Sequence, residues 1–182
     1  MPTGDSPSAE QVALAAALRD YRTESGRGLL ELVDASPVLL IFVRHFGCSF
    51  CRATLDQVSK IRGQIVAQGV NPVFVHLGTP EVAKPYFDYF KLSDVERVSN
   101  PDASLYQKPV FGLGRVNPVW HLFNPVVWYG WLRGDLFAYG IGAIKDDGHQ
   151  MPGVFFVKDR RIVRAFRYRT IADQPPFLKL IR

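Results

Sequence analysis

Two apolar periods run through this chain. Between Ser8 and Arg22, residues Val12, Leu14, Ala15, Leu18 and Tyr21 recur near helical spacing, with Ser8 placed to cap, which predicts an amphipathic helix. Gly26 and Gly28 break it, and Glu31 to Ser36 reads as a short polar turn ending at Pro37. Val38 to Val43 is an unbroken β-branched, aliphatic and aromatic run, the pattern of a strand buried on both faces. After the loop Arg44-His45-Phe46-Gly47, a helix is expected from Cys48. In it Cys51, Leu55, Val58, Ile61 and Ile65 form one stripe, and Gly69 ends it. Pro72 to Leu77 is a second buried strand, and Glu81 to Phe90 a helix after Thr79-Pro80 in the cap and first-turn positions.

The second half is less regular. Val95 to Ser99 reads as a short strand before the turn Asn100-Pro101-Asp102, and Ala103 to Phe111 as a helix. Gly153 to Val157 and Ile162 to Tyr168 flank Lys158-Asp159-Arg160-Arg161, which predicts a β-hairpin. Pro175-Pro176 then precedes a last short helix through Leu180. A strand–helix–strand half with a right-handed crossover, followed by an antiparallel hairpin and a helix, predicts an α/β sandwich with a mixed sheet.

Composition agrees with a folded chain. Its 182 residues are 47% hydrophobic and 13% aromatic, enough for one compact core and incompatible with a disordered chain. The net charge of +5, to which Arg160, Arg161, Arg164 and Arg167 contribute locally, comes with no nucleic-acid-binding motif, so no nucleic-acid partner is expected. The amino terminus lacks a basic stretch followed by an apolar run, which points to the cytoplasm. Val116 to Leu132 runs for 17 residues without a charged side chain. It is shorter than the roughly 20 apolar residues a spanning helix needs, and it is interrupted by Pro118 and Pro125. Membrane association is therefore not expected. This stretch carries Trp120, Trp128 and Trp131, either as a lid over the sheet or as a patch for docking a partner or a membrane surface.

The chemistry-bearing feature is Phe46-Gly47-Cys48-Ser49-Phe50-Cys51-Arg52, where a buried strand meets a helix. Cys48 and Cys51 are the only cysteines, three apart at a helix start. There the free amides and the helix dipole favour a thiolate. Together with the nearby Arg44, His45 and Arg52, such a setting lowers a thiol pKa from about 8.5 into a range of roughly 3.5–7.5. Cys48 is the candidate nucleophile and Cys51 the candidate resolving thiol. Two inert buried cysteines are the plain alternative. A zinc site requires four ligands, and no second Cys pair or paired-histidine motif accompanies this one, so neither a metal nor another cofactor is predicted. Pro152, directly before the first hairpin strand, is either an ordinary strand-start proline or a cis-proline held against the dithiol.

The order of elements, the Cys pair after the first central strand and the proline before the hairpin resemble the thioredoxin fold. More closely, Phe42-Val43-Arg44-His45-Phe46-Gly47-Cys48-Ser49-Phe50-Cys51-Arg52 resembles the peroxiredoxin-like, selenoprotein-L-like branch of the alkyl hydroperoxide reductase/thiol-specific antioxidant family. The segments Val73 to Leu77, Asn100 to Tyr106 and Gly153 to Leu180 also fit that pattern. The resemblance implies a three-layer α/β/α sandwich over 29–182, preceded by an amino-terminal helical extension (1–28) and carrying a helical, Trp-rich insertion at 112–140.

It further implies an antioxidant thiol oxidoreductase acting on a hydroperoxide, with a Cys48–Cys51 disulfide as the oxidised state and an external thiol as reductant. His45 is the candidate for proton transfer and Arg167 for facing the thiolate. Phe46, Gly47, Met151 and Pro152 are the candidates for contacting substrate. A homodimer is one oligomeric option. Three positions depart from the related patterns. His45 stands where a peroxidatic motif carries Thr or Ser, Phe42 replaces a buried thioredoxin acid, and Met151 replaces a Thr before the proline. Protein disulfide reduction is therefore kept as an alternative activity, and a non-enzymatic redox-sensing or docking module as a third.

Overall fold

The computed structural model describes residues 6–117, 119–120, 123–130, 132 and 149–182. Its elements run α1 (Ala9–Leu18), α2 (Leu29–Ala35), β1 (Val38–Phe42), α3 (Ser49–Val66), β2 (Asn71–His76), α4 (Pro80–Tyr89) and β3 (Glu96–Ser99). They continue with α5 (Pro125–Gly130), β4 (Gly153–Lys158), β5 (Arg161–Arg167) and α6 (Phe177–Leu180). The strands form one sheet in the order β3-β2-β1-β4-β5. β1, β2 and β3 are mutually parallel, β4 pairs antiparallel with β1 and β5 antiparallel with β4, and Leu40 lies opposite both Val73 and Phe155.

The unbroken apolar run of β1 is explained by two cores. Leu39 and Ile41 face one, with Leu55 and Val58 of α3, Phe87 of α4 and Leu180 of α6. Val38, Leu40 and Phe42 face the other, with Leu14 and Leu18 of α1, Leu32 of α2, and Tyr106 and Phe111. The result is the expected helix–sheet–helix layering with β1 at its centre. Among the described residues, no helix is long and apolar enough to cross a membrane.

The caps behave as the sequence predicts at α1, where Ser8 and Gln11 bond reciprocally. Two segments differ. Residues 29–35 form a helix rather than a polar turn. Leu29, Leu32 and Val33 are buried at helical spacing, and the Glu31 carboxylate accepts the Gly28 amide at 3.0 Å, capping from within. Residues 103–111 form successive turns rather than a helix. Asn100 Oδ1 accepts the Leu105 amide at 2.9 Å and Asp102 Oδ1 the Ser104 amide at 3.1 Å. These side chains thus compete with helical bonding, and Pro109 follows. That turn segment seats the Tyr106 hydroxyl against the carbonyls of Val43 and Val75, tying the ends of β1 and β2 together.

The hairpin turns on Asp159 and Arg160, both left-handed at φ 51° and 56°, as a two-residue connection requires. The strain at Arg160 is offset by a bidentate pair with Asp34 at 2.6 and 2.7 Å. Of the Trp-rich insertion, Trp120 and Trp128 are exposed, Val127 is buried, and Trp131 and His121 lie outside the described residues.

Candidate active site

Cys48 sits at the N-cap of α3, where β1 delivers the chain through Arg44-His45-Phe46-Gly47. Arg52, one turn into the helix, reaches back and donates from Nε to the Phe46 carbonyl at 2.6 Å. Its guanidinium also lies 5.1 Å from the centroid of the Tyr86 ring, which stacks on Phe46 at 4.9 Å. The loop is thus clamped between α3 and α4, and Cys48 is held at the helix start.

Cys48 is half-buried and Cys51 buried, and the two are not bonded to each other. Cys51 donates its S–H to the Cys48 sulfur, which together with the Arg44 charge and the free amides of Phe50 and Cys51 outweighs burial and holds the Cys48 thiol down to about 6. The same contact and burial push Cys51 well up. The pair is thus polarised, with Cys48 shifted toward the thiolate and Cys51 toward the thiol.

A cavity of about 10 Å³ opens beside the pair, lined by Arg44, Phe50, Thr54, Pro152, Tyr168 and Ile171 along with both cysteines. That is close to the volume a single water needs. Thr54 lies one turn beyond Cys51 on α3 and donates to the Phe50 carbonyl at 3.1 Å. The Tyr168 hydroxyl bonds Thr54, and burial foremost raises its pKa. Among the described residues no cluster of three or more His, Cys, Asp or Glu side chains that could hold a metal is assembled.

The remaining sequence candidates are placed as follows. His45 is buried, with Nδ1 lacking a hydrogen-bond partner, and does not line the cavity. Burial first, then the charges of Arg44 and Arg52, lowers its pKa to about 4, so at neutral pH it adds no positive potential. Phe46 and Gly47 are buried away from the cavity, Phe46 in the core against Tyr86 and Phe87. Arg167 is not brought to the sulfurs. It donates to the Phe111 carbonyl at 2.6 Å and lies over Phe155, on the sheet face opposite Cys51.

Pro152 does line the cavity, but its peptide bond is trans, so the strand-start reading holds rather than the cis-proline. Met151 is buried and its amide donates to the Gly114 carbonyl at 3.0 Å, within an antiparallel bridge between Arg115 and Gln150. The backbone expected to receive a substrate chain is already paired with the protein's own. Arg44 is, as the sequence suggests, a cation favouring the Cys48 anion, whereas Thr54 and Tyr168 are cavity residues that the sequence did not single out. The spacing of Thr54 on the Cys51 face of α3 was the one signal available for it.

The fold recurs among solved structures. The sequence matches no family model and no curated protein. Among solved structures, the peroxidoxin BcpB from Mycobacterium tuberculosis aligns with a TM-score of 0.60 at 12% identity, over 88% of this chain and 87% of that one. Peroxiredoxin Q from Xanthomonas campestris aligns at 0.59 and 14% identity, over 86% and 85%. A secreted M. tuberculosis disulfide oxidoreductase homologous to Escherichia coli DsbE aligns at 0.55 and 13%, over 91% and 96%. The chain has a thioredoxin-like fold, shared with peroxiredoxins and with disulfide oxidoreductases.

Proposed function

We propose that this protein is a thiol peroxidase that reduces a hydroperoxide through Cys48 and Cys51. The observation that carries this reading is the polarised dithiol beside a cavity of about 10 Å³. A protein disulfide needs an open backbone edge, whereas the distal end of a peroxide needs only a small pocket beside a thiolate and a cation.

In the first step the Cys48 thiolate attacks one oxygen of ROOH. The S–O bond forms, the O–O bond breaks, and the alkoxide leaves, taking a proton from solvent to give ROH; Cys48 becomes the sulfenic acid. Arg44 stabilises the charge moving from sulfur to oxygen. Cys51 then attacks the Cys48 sulfur. The S–S bond forms, the S–O bond breaks, and hydroxide with the Cys51 proton leaves as water. An external thiol reductant returns two electrons and two protons to regenerate the dithiol. Because the Cys51 thiol already contacts the Cys48 sulfur, the second step requires no unwinding of α3.

Stopped-flow mixing of the reduced protein with hydrogen peroxide tests this. Oxidation of one dithiol per peroxide is expected, abolished by Cys48→Ser. Oxidation no faster than that of a free thiol at the same pH would overturn it. The fold neighbour that is a disulfide oxidoreductase keeps disulfide exchange as the competing chemistry, against which the paired Met151 amide argues.

A further inference from the structure

Phe50 lines the dithiol cavity and also packs against Val127 and Ala172, which do not line it. Val127 of α5 is fully buried against Phe50 and Ala172, in a cluster that Cys48 and Ile171 join. Gly130 stands so close that a Cβ there would fall 2.8 Å from Phe50 Cε1 and 3.2 Å from the Ala172 Cβ. A side chain at 130 therefore has no room, and glycine is what lets α5 press on the ring.

We propose that α5 sets the size of the substrate: Val127 and Gly130 are positioning residues that fix Phe50 as a wall and restrict the site to hydrogen peroxide over branched alkyl hydroperoxides. This rests on the peroxidatic reading above. The cavity has space for about one water-sized group. The ring cannot retreat to admit a tert-butyl group, because Val127 and Gly130 fill the space behind it, and close-packed interiors do not yield continuously. Val127→Ala removes two methyl groups from behind the ring without touching the cavity lining, and so gives Phe50 somewhere to turn.

The test compares wild type, Val127→Ala, Val127→Ile and Phe50→Ala, reduced and shown folded by circular dichroism. Each is mixed with hydrogen peroxide and with tert-butyl hydroperoxide, and separately alkylated with iodoacetamide and with the bulkier N-phenylmaleimide. The ratio of tert-butyl hydroperoxide to hydrogen peroxide rate constants is expected to rise about tenfold in Val127→Ala and Phe50→Ala, the scale of discrimination a small volume change in an apolar pocket gives. Val127→Ile, which removes no volume beside the ring, should not raise the ratio, and in Val127→Ala and Phe50→Ala the N-phenylmaleimide to iodoacetamide ratio should rise in parallel with the first. Unchanged ratios for both reagent pairs in Val127→Ala would overturn the proposal. A shifted alkylation ratio in a protein that no peroxide oxidises would uphold the wall and overturn the peroxidatic reading instead.

Discussion

The amide of Met151 donates to the carbonyl of Gly114 at 3.0 Å, and this bond closes the edge beside the dithiol. With the Met151 N–H committed and the side chain buried, an incoming peptide has no partner for main-chain pairing there. The expected outcome is that insulin reduction in the presence of dithiothreitol proceeds at the rate of dithiothreitol alone, in a preparation whose Cys48 reacts with hydrogen peroxide. Catalysed precipitation of insulin would show that the 114–116 segment yields to substrate.

A thiolate at Cys48 makes a pH-dependent signature. Its pKa is lowered to about 6, so the reactive anion predominates above that value and is lost as the pH falls through it. Alkylation by iodoacetamide should therefore rise with pH, reach half its plateau near 6 and stay flat through neutrality. Arg44→Met removes a positive charge that favours the anion, and should move the midpoint upward. A profile still climbing above pH 8, where an unperturbed thiol titrates at about 8.5, would contradict the assignment.

The contact between the two sulfurs predicts what each single variant accumulates. With Cys51 present, one equivalent of peroxide should convert the pair to an intramolecular disulfide, seen by mass spectrometry as the loss of two hydrogens. Cys51→Ser leaves the sulfenic acid without its partner, so it should be trapped by dimedone and should progress to the sulfinic acid with excess peroxide. Cys48→Ser should give neither product. Dimedone labelling as strong in wild type as in Cys51→Ser would mean that Cys51 does not resolve.

The sequence exposed those parts of the site whose spacing is local. Cys48 and Cys51 are three apart on one helix, and the run Val38 to Phe42 announces the strand that delivers them. Arg167 shows where such reading ends. On a strand the side chains alternate, so Phe166 faces the dithiol side and Arg167 the opposite one, while Tyr168, one residue on, returns to the cavity. A one-residue offset in register thus decides which side chain meets the sulfur, and only the pairing of Gly153 with Arg167 fixes that register. The turns after Asn100 were hidden for another reason. The alternation there allows a helix, but the Asn100 and Asp102 side chains capture the backbone amides first. Thr54 and Tyr168 meet across some hundred residues of chain, a contact no periodicity encodes.

One charged network ties the segment before α2 to the sheet. Glu24 accepts from His76 Nε2 at 3.0 Å and from Arg97 Nε at 2.7 Å, and the Arg97 guanidinium lies 4.7 Å from the centroid of the Phe87 ring. Burial alone would raise the Glu24 pKa, but the His76 bond and the Arg97 charge outweigh it and leave it below 4.5. A carboxylate with a lowered folded-state pKa stabilises the protein above its unfolded value, and that contribution disappears as the pH falls through the folded one. Glu24→Gln should therefore cost about 1.5–3 kcal/mol at neutral pH, the range for hydrogen bonds to charged groups. The difference from wild type should shrink once the pH drops well below 4.5. Thermal melts of both proteins at neutral and acid pH measure this directly. A difference in Tm independent of pH would show that Glu24 acts through its shape and not its charge.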